Sequence, residues 1–302
     1  WSRSVWLLVL SILLTMAVGV TAFATRDDRI PSSNGAARDA PPARLSLGPE
    51  YVAIGDSFTA GGPIGAIQAG ADDCLRSRYD YPTRVATNLD LSVTDVSCGG
   101  ATTADALKGS GAAPAQVAAV TPKAKLVTVS VGGNDHGIYV SAFINCLRYA
   151  KVTRVGAPCK ANLGSAFTNR VSSVETSVRA VLQAVRRRAP NARVMVVTYL
   201  RLLPDDDECA ALPYPVGDVA WVTQVERSLA EAMRRAAVAQ GVEIVDMQQL
   251  SEGHDVCSSE PWVNGLRPKA KDGWFLHPNA AGAKAVANAV TQAWREGLPA
   301  RR

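Results

Sequence analysis

The chain has 302 residues, of which 47% are hydrophobic and 20% are charged, so it has enough apolar material for one substantial core. This composition excludes a disordered chain and a collagen-like chain. The formal charge of +5 is spread over many positions, and the one dense basic run, Arg186 to Arg188, lies where a predicted helix ends and cations suit the helix dipole. We therefore expect one domain of enzyme size and no nucleic-acid partner.

The N-terminal segment has the pattern of an export signal. Arg3 precedes an almost wholly apolar stretch from Val5 to Val20, and the run from Ala22 to Ala24 supplies a small-x-small cleavage site. Uncut, the segment from Val5 to Ala24 is about 20 residues long and would span a bilayer. Residues 1–24 are therefore expected to be a signal peptide or a membrane anchor, and the protein is expected to be secreted or extracytoplasmic, associated with membrane or envelope if the segment is retained.

Residues 25–48 are rich in Pro, Ala, Ser, Arg and Asp and lack apolar periodicity, which is typical of a flexible linker. Folding should begin near Pro49, and we assign residues 49–298 to a single domain. No internal repeat and no second domain boundary is visible. We expect a monomer.

Strand-like and helix-like segments alternate through this domain. Alternation of this kind favours a parallel sheet covered by helices on both faces. The strand-like runs are Tyr51 to Ile54, Leu91 to Val96, Leu126 to Val131, Ala192 to Thr198 and Val242 to Val245. The sequence therefore predicts an α/β fold with three layers and a central parallel sheet of five strands.

Three helices are expected from apolar periodicity and end signals. Apolar residues recur at helical spacing from Leu163 to Val185 and from Val222 to Ala236, so both segments should pack on the sheet. A last helix is predicted to begin near Pro278, where the missing amide of proline costs little, and to run to about Trp294.

The chain contains an even number of cysteines, which in an exported protein indicates three disulfides. None of the cysteines has the spacing of metal ligands, and we expect no metal and no cofactor. Six cysteines allow fifteen connectivities, of which the pairing of sequence neighbours closes the shortest loops. These pairs are Cys74 with Cys98, Cys146 with Cys159, and Cys209 with Cys257.

Ser57 follows the first predicted strand within the motif Gly-Asp-Ser-Phe, at the edge where α/β sheets carry their active sites. A serine there is a candidate nucleophile, and it is equally a candidate helix N-cap. The α/β-hydrolase elbow requires a second glycine two residues after the serine. Thr59 occupies that position, so that fold is disfavoured.

Two further motifs follow predicted strands and offer hydrogen-bond donors. Asn134, in Gly-Gly-Asn-Asp, should reach the same sheet edge as Ser57, where its carboxamide would donate to an oxyanion. Gly100, in Cys-Gly-Gly-Ala-Thr, offers a backbone N–H. Taken alone, each motif also fits an ordinary turn.

The chain has three histidines, and each is weighed as a base or as a structural residue. His277 lies in a His-Pro-Asn segment before the last predicted helix, a suitable position for a general base. His254 is close to Cys257, which favours a structural role, and His136 follows the Asn134 motif and is a weaker candidate for a substrate contact.

The order and spacing of these motifs resemble the SGNH, or GDSL, hydrolase family from about Glu50 to Trp294. The resemblance implies that Ser57 is the nucleophile and His277 the general base. It also implies an oxyanion hole formed by the Ser57 and Gly100 amides and the Asn134 side chain. The cysteines further resemble those of the secreted lipase and esterase branch of actinobacterial type, which implies a flavodoxin-like open parallel sheet, no metal, and disulfides between sequential neighbours.

The sequence departs from the family three residues before His277, where the usual aspartate is replaced by Trp274. Some members of the family use a main-chain carbonyl there, so we expect the Trp274 carbonyl to orient the imidazole of a Ser57–His277 dyad. Asp272, five residues before His277, is the rival acceptor.

These observations together predict an exported serine esterase or lipase that acts on acyl esters or lipids through an acyl-enzyme. Two alternatives stay open in the same chemical class: deacetylation, or acyl transfer, on glycans or lipids of the cell envelope. A non-catalytic envelope-binding domain is a third alternative, and the presence of Ser57, Asn134 and His277 argues against it.

Overall fold

The computed structural model describes residues 49–70, 73–111, 113–205 and 211–297. The predicted signal or anchor over residues 1–24 and the predicted linker over residues 25–48 lie outside the described residues. Within the described ranges, no helix has the length and apolar character needed to cross a membrane. The domain assignment to residues 49–298 stays a prediction.

Five parallel strands form one sheet in the order β2-β1-β3-β4-β5. The strands are β1 (Tyr51–Gly55), β2 (Val93–Asp95), β3 (Leu126–Ser130), β4 (Arg193–Val197) and β5 (Glu243–Val245). The strands β1 and β3 are buried throughout, as expected for parallel strands with both faces covered. The predicted fold class and the number of strands are confirmed.

Eight α-helices are found in the described ranges. They are α1 (Ser57–Ala60), α2 (Tyr81–Leu89), α3 (Thr103–Lys108), α4 (Cys146–Ala150), α5 (Pro158–Arg188), α6 (Val216–Gln240), α7 (Met247–Leu250) and α8 (Ala280–Glu296). Short 3₁₀ turns span Gln116–Ala119 and Asp135–Gly137, and a π-helical segment spans Val140–Asn145.

The helices pack in two groups on the sheet. The long helices α5 and α6 pack together, with α3 against α5, while α2 packs on α8. The apolar stripe predicted from Leu163 to Val185 lies within α5, and the stripe from Val222 to Ala236 lies within α6. The core joins these stripes to the strands, with Val178, Leu182 and Met233 fully buried.

The prediction for the start of the last helix was wrong in one detail. Asn279 is the N-cap of α8, since its side chain accepts the Gly282 N–H at 2.9 Å, and Pro278 therefore precedes the cap instead of opening the first turn. A side-chain acceptor at the N-cap satisfies an amide that the helix leaves free.

Two disulfides lie in the described residues, Cys74–Cys98 and Cys146–Cys159, and both join sequence neighbours as predicted. The third predicted pair includes Cys209, which lies outside the described residues. The first bridge fastens the loop after α1 to the segment that carries Gly100. The second closes the loop between α4 and α5.

Candidate active site

Ser57 is the first residue of α1, directly beyond the carboxyl end of β1. The N-cap of this short helix is Asp56, whose Oδ1 accepts the Phe58 N–H at 3.0 Å. Because Asp56 supplies the cap, the hydroxyl of Ser57 is not used for capping. The N-cap role considered for Ser57 is therefore taken by Asp56.

Gln116 holds the end of β1 in place. Its Oε1 accepts the Gly55 N–H and its Nε2 donates to the Gly55 carbonyl, both at 2.9 Å. The neighbouring strand β2 ends at Asp95, which pairs with Ala53, so the amide side chain continues the ladder that β2 leaves short. This buried contact, which the sequence did not indicate, fixes the backbone immediately before the Asp56–Ser57 turn.

His277 lies 220 residues after Ser57 in the sequence, yet its Nε2 is 2.8 Å from the Ser57 Oγ. This is the distance of a direct hydrogen bond between a hydroxyl and an imidazole. The histidine is carried by the loop that leads into α8, which lies at the carboxyl edge of the sheet. The sequence named both residues, and the structure brings them together.

The second ring nitrogen of His277 faces a main-chain carbonyl, but not the predicted one. Nδ1 is 2.8 Å from the Phe275 oxygen, whereas the Trp274 oxygen accepts the side-chain amide of Asn264 at 3.2 Å. Leu276, between Phe275 and the histidine, has a φ of 56°, and this left-handed turn aims the Phe275 carbonyl at the ring. The assignment of Trp274 as orienter is therefore corrected to Phe275.

Asp272, the rival acceptor, does not contact the imidazole. Its Oδ1 accepts the Ala280 N–H at 2.8 Å at the start of α8, and its backbone carbonyl accepts from Asn264. The carboxylate therefore serves the N-terminus of a helix, where negative charge is favoured.

Tyr139 is a neighbour of His277 that the sequence analysis missed. Its hydroxyl donates to the Leu276 carbonyl at 2.8 Å and lies 3.2 Å from His277 Nδ1. The only available signal was its position shortly after the Asn134 motif. The phenol fixes the carbonyl of the left-handed residue and, through it, the direction of the imidazole.

The imidazole is enclosed by aromatic rings although part of the residue reaches solvent. The rings of Phe58, Tyr139 and Trp274 lie 4.9, 5.3 and 5.4 Å from it, between centroids. Burial lowers the pKa of His277 to about 4, and the hydrogen bond to the Phe275 carbonyl opposes this only in part. His277 is therefore neutral at neutral pH, the form that accepts a proton.

Of the predicted oxyanion donors, Asn134 lies beside Ser57, and Gly100 lies in the loop that the Asn134 side chain contacts. The Asn134 side chain lines the same pocket as Ser57 and donates one N–H to the Ala101 carbonyl at 3.1 Å, which leaves its second N–H free for a ligand. Gly100 has a φ of 77°, a conformation that favours glycine. Among the described residues, no hydrogen-bond partner is found for the amide of Ser57 or of Gly100.

Asp135, the last residue of the Gly-Gly-Asn-Asp motif, joins the two donor loops. Its carboxylate accepts the Thr103 N–H at 2.8 Å and the Thr103 hydroxyl at 2.6 Å. Thr103 opens α3, three residues after Gly100. These bonds tie the loop of Asn134 to the loop of Gly100.

Asp56 and Tyr199 form a second brace below the nucleophile. The Tyr199 hydroxyl donates to Asp56 Oδ2 at 2.5 Å and accepts the Gly133 N–H at 2.8 Å. A Cβ on Gly133 would lie 3.0 Å from the Tyr199 ring, so a larger residue there would require the ring to shift by a few tenths of an ångström. Burial raises the pKa of Asp56 to about 7, against the lowering effect of the Tyr199 hydrogen bond.

The other two histidines lie outside this arrangement. His254 stacks on Trp262 with ring centroids 3.9 Å apart, and its Nδ1 contacts the Glu260 carbonyl at 2.8 Å, which is a structural role. His136 is exposed and has a left-handed φ of 52° in the turn after Asn134. Its ring makes no hydrogen bond in the described part of the chain.

A narrow cavity of about 30 Å³ adjoins Ser57. Its walls are mostly apolar and are formed by Phe58, Tyr139, Phe143, Leu200, Leu202 and Leu229. An apolar wall next to a nucleophile and an oxyanion hole suits the acyl side of an ester.

The sequence matches the family described as GDSL-like Lipase/Acylhydrolase over residues 53–285. Lipase 2 of Streptomyces coelicolor is 33% identical over 280 residues, which is 90% of this chain and 92% of that protein. Lipase 1 of the same organism is 28% identical and covers 77% of this chain and 81% of its own length.

Solved structures with the same fold include two from Streptomyces. Phospholipase A1 from Streptomyces albidoflavus superposes with a TM-score of 0.70 at 26% identity, covering 81% of this chain and 99% of that chain. The extracellular lipase from Streptomyces rimosus superposes with a TM-score of 0.67 at 25% identity, covering 80% of this chain and 98% of that chain. The chain belongs to the GDSL-like lipase/acylhydrolase family of carboxylic ester hydrolases.

Proposed function

We propose that the protein hydrolyses acyl esters through a covalent acyl-enzyme on Ser57, with His277 as general base. The observation that supports this most is the 2.8 Å contact between His277 Nε2 and Ser57 Oγ. A neutral imidazole at that distance accepts the serine proton as the hydroxyl attacks the acyl carbonyl. It then returns the proton to the leaving alcohol, and a water molecule discharges the acyl group by the same path.

The negative charge that develops on the carbonyl oxygen is assigned to three donors: the amides of Ser57 and Gly100 and the free N–H of Asn134. Donors fixed before the reaction stabilise such a charge without reorganising. The bonds from Asp135 to Thr103 and from Tyr199 to Gly133 support this assignment, because they hold the donor loops in position.

The Phe275 carbonyl is assigned the role that an aspartate has in a triad. It accepts the Nδ1–H of His277, which fixes the tautomer with a free lone pair on Nε2. A neutral carbonyl stabilises the imidazolium less than a carboxylate would, so its hydrogen bond offsets only part of the lowering of the His277 pKa by burial.

Lipid esters are the proposed substrate class. The apolar walls beside Ser57 favour an apolar acyl group, although a cavity of about 30 Å³ would have to widen for a long chain. The related proteins are named lipases and a phospholipase A1. Export is proposed on the N-terminal sequence and on the two disulfides, which persist in oxidising compartments.

Labelling with a fluorescent phosphonate tests the nucleophile. We expect wild type to be labelled and Ser57→Ala not to be, with His277→Ala labelled far more slowly. Labelling of Ser57→Ala at the wild-type rate would show that another residue is the nucleophile. A series of p-nitrophenyl esters beside an acetylated glycan tests the substrate class, and activity confined to the glycan would replace the lipase assignment with deacetylation.

A further inference from the structure

The loop between α4 and α5 exposes large apolar side chains. Val152 and Val155 are 86% and 83% exposed, the highest values among large apolar residues in the described ranges. Val216, at the first position of α6, is 62% exposed and is joined to the same loop, since its N–H donates to the Arg154 carbonyl at 3.4 Å. A group of exposed apolar side chains is a feature of interaction surfaces, whereas single exposed ones are ordinary.

The loop and the segments on either side of it are basic. Residues 136–174 contain five Arg and Lys and no Asp or Glu, a formal charge of +5 that equals the net charge of the entire chain. Arg148, Lys151, Arg154 and Lys160 are exposed, and none of them forms an ion pair with any residue that the structure describes. The positive charge therefore remains available to an external partner.

Helix stability explains only two of these cations, because Arg148 lies in the last turn of α4 and Lys151 is its C-cap, where cations suit the helix dipole. The Cys159 and Lys160 amides at the start of α5 are capped by the buried carboxylate of Asp218, and cations are disfavoured at this end of the helix dipole. The basic run Arg186 to Arg188 lies at the other end of α5, where the dipole favours it. The helix dipole therefore leaves two exposed cations unexplained, Arg154 in the loop and Lys160 in the first turn of α5.

Topology places the loop on the active-site side of the sheet. α5 ends at Arg188, shortly before β4 begins, so its other end lies toward the carboxyl edge that carries Ser57. With 31 residues α5 is about 46 Å long, whereas a strand of five residues spans about 17 Å. The first turns of α5 therefore extend past the sheet edge.

We propose that this basic, valine-bearing tip docks the enzyme on an anionic lipid surface. The tip is defined by Arg148, Lys151, Val152, Arg154, Val155 and Val216. Cations attract anionic head groups, and exposed valines gain from entering the boundary with the acyl chains. A hydrophilic polyanion would match the cations and leave the valines in water, so lipid fits both features.

The proposal rests on the proposed function only in taking a lipid ester as the substrate to be reached, and docking is measurable without turnover. Ser57→Ala protein is sedimented with vesicles of phosphatidylglycerol and phosphatidylcholine in equal parts, and with pure phosphatidylcholine vesicles. We expect preferential binding to the anionic vesicles that weakens as salt is raised.

Two double variants of the tip test its two features. Lys151→Gln with Arg154→Gln should weaken binding to anionic vesicles by about 30-fold, the effect of two charges near such a surface. Val152→Ser with Val155→Ser should weaken it by about 10-fold. Neither change should alter hydrolysis of a soluble p-nitrophenyl ester in the active enzyme, because these side chains lie outside the catalytic site.

Matched controls lie at the opposite ends of the same two helices. Arg187→Gln with Arg188→Gln removes equal charge from the end of α5, and Val238→Ser removes a valine that is 63% exposed near the end of α6. Both should bind like the parent. The proposal would be overturned if the controls lost as much binding to anionic vesicles as the tip variants, or if the tip variants lost none.

A dextran sulfate arm separates lipid from a general polyanion. The valine variant should bind dextran sulfate as the parent does while binding vesicles more weakly. If the valine changes left vesicle binding unaltered, the tip would be a polyanion site and the lipid assignment would be wrong. If the wild-type enzyme did not hydrolyse a soluble ester, the proposed function would be refuted, while the measured binding to vesicles would remain valid.

Discussion

The phenol of Tyr199 and the carboxyl group of Asp56 meet in a hydrogen bond of 2.5 Å directly behind the serine turn. The same phenol oxygen receives the Gly133 N–H, next to Asn134. One side chain from the end of β4 therefore connects the turn that carries the proposed nucleophile with the loop that carries a proposed oxyanion donor.

Tyr199→Phe removes both bonds and retains the ring. We expect kcat to fall by about 10- to 100-fold with little change in KM, because the donors lose their relative position. The unpaired Asp56 and Gly133 groups should also cost about 1–3 kcal/mol of unfolding free energy, measured in urea.

Tyr51→Phe is the matched control for this change. Tyr51 is a buried tyrosine at the start of β1, and its hydroxyl is 2.9 Å from that of Thr128. Its loss should lower stability and leave kcat unchanged. If the two variants lost the same fraction of kcat, Tyr199 would have only a structural role.

We expect kcat/KM to be lost on the acid side at an unusually low pH. Burial lowers the pKa of His277 from its ordinary value of 6.5 to about 4, so the imidazole stays neutral until the solution is distinctly acidic. Activity should hold as pH falls through 6 and be lost near 4, when protonated His277 no longer accepts the Ser57 proton. A midpoint at or above 6.5 on a soluble ester would contradict this assignment, and would point instead to an unperturbed His277 or to Asp56, whose pKa burial raises to about 7.

Asn134→Ala removes the side-chain donor assigned to the oxyanion. We expect kcat to fall by about 10² to 10³, the usual effect of losing one such donor, with a small effect on KM. Asn88→Ala serves as the control, since Asn88 is an exposed residue whose side chain donates to Thr291 in α8 at 3.2 Å. A rise in KM with kcat unchanged would assign Asn134 to substrate contact instead.

Asp272→Asn separates a carbonyl orienter from an acidic one. Asparagine retains an oxygen that accepts the Ala280 N–H, so the start of α8 should be preserved. With the Phe275 carbonyl at His277 Nδ1, we expect kcat to change by less than about 3-fold. Loss of an orienting carboxylate costs on the order of 10⁴ in a true triad, and a loss of that size would restore Asp272 to the mechanism.

The sequence predicted the sheet well because buried parallel strands are continuous apolar runs. Tyr51 to Ile54 and Leu126 to Val131 differ from β1 and β3 by one residue each. The start of the last helix was predicted too early, because Pro278 suits a first turn while Asn279 is the better cap.

The parts of the candidate site that lie in short sequence motifs could be predicted. Ser57 and His277 were identified from short motifs, and the geometry places them within a hydrogen bond. The carbonyl at His277 Nδ1 belongs to Phe275 and not to Trp274 as predicted. The left-handed φ of Leu276 that aims it at the ring has no signature in the sequence. Tyr139 and Tyr199 were missed for a related reason: a lone tyrosine does not reveal which backbone groups its hydroxyl will reach.

Peptide mapping of the acylated enzyme tests the central claim most directly. Wild-type protein is mixed with a p-nitrophenyl ester, quenched in acid during the initial burst, digested, and examined by mass spectrometry. The account predicts that the acyl mass lies on Ser57 and that Ser57→Ala neither forms an adduct nor turns over. An adduct on another residue, or turnover of Ser57→Ala at the wild-type rate, would contradict it.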